Sequence, residues 1–93
     1  MNTHELRILL INQGEGIDPL VRALNIVRRG KVKVKSINAA FNGEYINVKV
    51  IVEGPEDEVN WVCNKLSKLY DVAEVSSRAI PVEAGLQRVV TNG

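Results

Sequence analysis

The pattern along the chain predicts an α+β domain of order βαββαβ: a four-stranded antiparallel sheet with two helices on one face. Three observations predict it. Helical patterns near residues 18–29 and 55–69 are each flanked by strand-like runs. Asn42-Gly43 sits between two strand patterns as a hairpin signal. Ile46, Val48, Val50 and Val52 alternate with outward residues, the period of a half-buried strand.

Leu6-Arg7-Ile8-Leu9-Leu10-Ile11 reads as the first strand, because the run is short and rich in branched residues. His4, before it, falls in a frayed end on this reading. Asn12-Gln13-Gly14-Glu15-Gly16-Ile17 is a glycine-broken loop. Asp18 is expected to cap the first helix, with Pro19 at the first helical position, where a missing N–H costs nothing. Leu20, Leu24 and Val27 recur at helical spacing, joined by Ala23 and Ile26. Arg28 and Arg29 suit the negative end of the helix dipole before Gly30.

The second strand covers Val32 to Asn38, with Lys33 and Lys35 on a wet face. Its apolar phase then shifts to Ile37, Ala39 and Phe41, which predicts a bulge near Ser36. The hairpin signal rests on the positive φ that both central residues of a type I′ turn need. Tyr45 to Val52 returns as the third strand. Gly54-Pro55 opens the second helix, and Glu56, Asp57 and Glu58 complement its positive end. Val59, Val62, Cys63, Leu66 and Leu69 share one helical face. Val72 to Ser77 is the last strand. This is the ferredoxin-like arrangement, and it leaves one sheet face without helices. The domain is placed at residues 1–78. The apolar tail 79–93, with Ile80, Val82, Leu86, Val89 and Val90, is expected to pack on the domain or on a partner.

Composition narrows the function. Ninety-three residues make one small domain, burying somewhat more than roughly 60% of its unfolded surface. The net charge of +1 argues for neither nucleic acid nor membrane. A single cysteine, Cys63, permits no internal disulfide and fits a reducing cytoplasm, where the chain is placed. The longest apolar run, Ile8 to Ile11, is too short for a signal or a membrane span. No acid, base and nucleophile converge in a motif, so no catalytic residue and no metal ligand are assigned. Cys63 reads as a structural thiol among apolar neighbours. Trp61, off the apolar stripe, marks either a docking surface or the core's edge. The basic run Arg28, Arg29, Lys31, Lys33, Lys35 could meet phosphates. However, RNA-binding sheets of this topology stack bases on central-strand aromatics, and here only Tyr45 is available.

Several of these residues carry a resemblance. Leu20, Arg22, Leu24, Val27 and Arg28, then Val34, Ser36, Ile37 and Asn38, are similar to the first helix and second strand of ACT domains. Leu66-Ser67-Lys68-Leu69-Tyr70-Asp71-Val72-Ala73-Glu74-Val75 resembles the helix-to-strand segment of one group of them, the short regulatory subunits of acetolactate synthase. The resemblance spans roughly residues 5–77. It implies a non-catalytic subunit of branched-chain amino-acid biosynthesis that forms a homodimer. Such a subunit docks on a large catalytic chain, raises its activity, and in many members confers valine inhibition. Thiamine diphosphate is then expected only in that catalytic partner, with no cofactor in this chain. The alternative is a stand-alone amino-acid-sensing module that regulates another enzyme or regulator.

On this reading the ligand, valine or another branched-chain amino acid, would meet Asn12, Gln13, Gly14, Glu15, Gly16, Ile17, Asp18 and Lys33. The dimer interface would use Val32, Lys33, Val34, Lys35 and Ser36. Two departures stand out. Asp18 fills the slot where ligand-binding members carry a helix-opening glycine, and its carboxylate would repel a ligand carboxylate. Gly30 comes one residue early, with Lys31 in the family's glycine slot. Fold and regulatory role survive these departures better than valine feedback does, and a short, non-sensing activator fits equally.

Overall fold

The computed structural model describes residues 2–81 of the chain. Their order is β1 (Asn2–Ile11), α1 (Asp18–Arg29), β2 (Lys33–Asn42), β3 (Tyr45–Gly54), α2 (Glu56–Ser67) and β4 (Val72–Ile80). The four strands form one antiparallel sheet in the order β2-β3-β1-β4, so the predicted architecture is the observed one. The expected packing of the tail falls, beyond Pro81, outside the described residues, while β4 itself runs to Ile80.

The core is set by alternation on the two central strands. His4↔Val52, Leu6↔Val50, Ile8↔Val48 and Leu10↔Ile46 are register partners, and all eight side chains are buried on the helix side. Val59, Val62 and Leu66 of α2 close this layer, as their helical spacing predicts. On α1 the buried line is Pro19, Ala23 and Val27, with Leu20 and Ile26 at its flank. Leu24, expected in the stripe's centre, is only half buried. The helix is rotated about its axis by what the sheet offers it, which spacing within one helix does not specify.

Several local expectations are corrected. Asp18 is the first helical residue and not the cap. Ile17 precedes it with no side-chain cap bond, and its carbonyl accepts from the N–H of Val21. Backbone turns through the loop orient the helix start instead, with Asp18 N–H donating to the Glu15 carbonyl. In the hairpin the two connecting residues are Gly43 and Glu44, because Asn42 still pairs with Tyr45. Only Gly43 has positive φ, at 59°. His4 is not frayed: β3 extends to Gly54 and β4 to Ile80, so the start of β1 has strand partners on both sides. The predicted bulge at Ser36 is present as a register shift between Val34 and Ser36. A second irregularity between Leu9 and Leu10, against β4, had no sequence signal.

The two helices approach closely where α1 ends. A Cβ on Gly30 would overlap the buried Val62 side chain and approach Trp61. Gly30 has an ordinary extended backbone, φ −75° and ψ 156°, so it is needed for space rather than for conformation. Gly30→Ala is expected to destabilise the fold by about 1–3 kcal/mol through overpacking. Urea unfolding would measure this, and an unchanged midpoint would show that Val62 can yield.

Candidate functional site

The β1–α1 loop is ordered by its own hydrogen bonds. Asn12 N–H donates to the Glu44 carbonyl of the hairpin (2.6 Å), and the Glu15 N–H donates to Asn12 Oδ1 (3.2 Å). Gly14 and Gly16 take φ of 81° and 65°, which side-chain-bearing residues rarely adopt. A Cβ at either position would meet nothing within 4 Å among the described residues beyond the adjoining chain, so both glycines serve the turn and leave open space beside it. Gln13, Glu15, Ile17 and Asp18 are exposed around that space.

The loop is also fastened by side chains. Arg22 of α1 donates from Nε (3.0 Å) and Nη2 (2.7 Å) to Oδ2 of Asp71, which is only 3% exposed. The same Nη2 reaches Glu15 Oε1 at 2.9 Å, and the Tyr70 hydroxyl donates to Glu15 Oε2 at 3.2 Å. Arg22 lies over the Tyr70 ring, 5.1 Å from its centroid. Hydrogen bonding to Asp71 first of all, against the cost of burial, holds the Arg22 pKa above its ordinary value. Glu15 is therefore held by Arg22 and Tyr70, and no sequence pattern announced this: Arg22 and Asp71 are 49 residues apart.

Not all of the expected ligand set converges. Asn12 to Asp18 form one loop at the hairpin end of the sheet. Lys33 pairs with Glu53 at the far end of β2. Nine strand steps at about 3.3 Å put it roughly 30 Å along the strand from Asn42. Of the expected interface residues, Lys33, Val34, Lys35 and Ser36 are exposed on edge strand β2, and Val32, just before it, is half buried. The same edge carries more exposed apolar surface than the sequence reading assigned to it. Ile37 is 48% and Phe41 49% exposed. Both face the helix layer, as register partners of buried Val50 and Ile46, yet the helices do not cover them.

Cys63 is half buried, and burial raises its thiol pKa against a hydrogen bond with Ser77, as befits a structural thiol. Trp61 packs against the core and carries Lys65 over its ring, so it lies at the core's edge.

A second charged group lies on the helix-free face. Glu5 is 3% exposed. Arg78 donates to its Oε1 from Nε and Nη2, both at 2.7 Å. Arg7 Nε donates to Oε2 at 3.1 Å, and Lys49 Nζ is 3.7 Å from the same oxygen. Burial alone would raise the Glu5 pKa, but the hydrogen bonds from Arg78 and Arg7 outweigh it and the pKa is lowered.

A βαββαβ sheet with a glycine loop before its first helix defines the class of small ferredoxin-like modules. The ACT-domain family model matches residues 17–75, and the chain belongs to that family. No curated protein matches the chain. Solved structures of like fold include the ACT domain from GTP pyrophosphokinase of Chlorobium tepidum, 12% identical with a TM-score of 0.72, the match covering 84% of this chain and 100% of that one. A homoserine dehydrogenase from Thiobacillus denitrificans is 17% identical with a TM-score of 0.68, over 86% of this chain but 17% of its own. The C-terminal domain of the MgtC protein from Mycobacterium tuberculosis is 13% identical with a TM-score of 0.65, over 86% of this chain and 88% of that one. At these identities the likeness shows the fold alone. Among the described residues no helix is long and apolar enough to cross a membrane.

A lowered folded-state pKa contributes stability above the unfolded value, and that contribution is lost as pH falls through the folded value. The Glu5 cluster is therefore expected to steepen the loss of stability below the ordinary carboxylate pKa of 4.5. Glu5→Gln should flatten this part of the acid limb, read from urea midpoints between neutral pH and about pH 3. Parallel curves for the two proteins would show that other carboxylates govern the limb.

Proposed function

We propose that the chain is a non-catalytic regulatory subunit of acetolactate synthase, working as a homodimer that binds and activates a large catalytic chain. Membership of the ACT family supports a regulatory role, and the motifs at residues 20–38 and 66–75 support this particular partner. The observation that carries the dimer is the open edge of β2. Among the described residues nothing pairs with its outer side, and Val34 (40% exposed), Ile37 and Phe41 leave apolar area that a second copy would bury. Antiparallel pairing about the middle of β2 would also carry the partner subunit's Lys33 toward the hairpin end, where the Asn12–Asp18 loop lies. Thiamine diphosphate belongs to the catalytic partner in this proposal.

The state of the loop favours an activator that does not itself sense an amino acid. Glu15 is bound by Arg22 and Tyr70, and Asp18 stands at the helix start where an incoming carboxylate would seek backbone N–H groups. The sensing alternative draws on the open space beside Gly14 and Gly16.

Mixing the purified chain with a synthase large subunit is expected to give a stable complex and a raised rate. The absence of both a complex and a change in rate would overturn the proposal. Ile37→Glu is expected to convert the dimer to monomer in sedimentation equilibrium, and a dimer that persists would place the interface elsewhere. For the sensing alternative, calorimetry with branched-chain amino acids separates the two readings. Little or no heat is expected for the wild type, and Asp18→Gly should strengthen binding at a small cost in stability, about a few tenths to 1 kcal/mol. If Asp18→Gly binds no better, that carboxylate is not what closes the loop.

A further inference from the structure

The helix-free face of the sheet has an uneven charge arrangement around Glu5. Arg7, Lys49 and Arg78 are 62%, 53% and 67% exposed, while the one carboxylate they share is buried beneath them. Three cations on one anion leave two positive charges facing solvent. Arg7 and Lys49 are direct register partners on β1 and β3. Like charges directly opposed across strands destabilise a sheet. Glu5 relieves this pair from below, and nothing among the described residues relieves it from above. Beside the pair the sheet curves into a hollow of about 500 Å³ whose lining includes Leu9, Asn38, Asn47 and Ser76. Its amides and hydroxyl can bond a peptide backbone or side chain, and Glu74 marks its β4 rim.

We propose that this face is a docking surface for an acidic segment of a partner protein, whose carboxylates seat on Arg7 and Lys49 over the hollow. This rests on the reading of the chain as a regulatory subunit and names the surface that reading leaves open. Charge complementarity selects the occupant. A second copy presenting the same face brings the same surplus of positive charge and is repelled. A nucleic acid finds no aromatic on β1 to stack on. The held geometry favours carboxylates: Arg7 is anchored to Glu5 through Nε, so its terminal nitrogens stay available as paired donors.

The test uses the full chain and a fluorescent polyglutamate peptide, followed by anisotropy at low ionic strength. The wild type is expected to bind in a salt-sensitive way. Arg7→Gln/Lys49→Gln should weaken binding about tenfold. The double variant keeps Arg78 on Glu5, and Lys49→Gln alone, removing only a 3.7 Å contact, guards against a folding defect. Lys68→Gln, exposed at the end of α2, should change nothing. Three results overturn the proposal: no binding of the peptide, equal binding by the double variant, or tighter binding of oligouridine than of polyglutamate. A second arm repeats the comparison with a synthase large subunit. If the wild type and the double variant bind it equally, the docking face is wrong and the regulatory reading stands. If neither binds it while polyglutamate still discriminates, the regulatory reading falls and the acidic-segment surface stands.

Discussion

The ten-residue register between β1 and β3 carries the rest of the structure. It aligns Leu6, Ile8 and Leu10 with Val50, Val48 and Ile46, and every one of these side chains is at most 3% exposed. A one-residue slip of β1 against β3 would turn Leu6, Ile8 and Leu10 to the helix-free face and bring Arg7 into the core. Burial of this layer positions α1 and α2, and the flanking strands take their places from the pairing of the central two. The face that remains inherits the odd residues of β1, including Glu5 and Arg7.

Among the described residues two carboxylates are buried, Glu5 and Asp71, each 3% exposed. Both are paired with cations, and removing one partner of a buried charge pair is costly. Asp71 is met by Arg22 and so ties the start of β4 to α1. Glu5 is met by three cations from β1, β3 and β4. The first arrangement closes the loop end of the sheet. The second uses one buried anion to gather cations on the surface. A burial requirement has thus shaped the outward face of the molecule.

The two edges of the sheet differ in the same physical terms. On β4, Val72 and Val75 pack against the core alongside α2. On β2 the inward residues Val34, Ile37 and Phe41 stay 40–49% exposed, because the helices close on each other at Gly30 and Val62 and do not cover that edge. Edge strands of this kind invite pairing, and Lys33 and Lys35 limit which partners can add to them. The asymmetry leaves the module with one edge of exposed apolar area and one broad charged face.

The sequence by itself determined the order of elements, the fold class and most of the core. These depend on local periodicity: Ile46 to Val52 alternate, and Val59, Val62 and Leu66 recur at helical spacing wherever the chain is read. It also announced the bulge near Ser36, because a phase shift in alternation is visible without a partner strand. Only the tertiary structure decided how α1 is rotated, why His4 is held in a strand, and that Lys33 lies at the opposite end of the sheet from the Asn12–Asp18 loop. Each depends on which distant segment comes alongside. The same is true of the Arg22–Asp71–Glu15 fastening and of the cations around Glu5, whose members come from β1, β3 and β4. Charge pairs across 49 or 73 residues have no period. They exist because the register of a sheet brings those positions together, and that register is fixed by burial of the whole central pair.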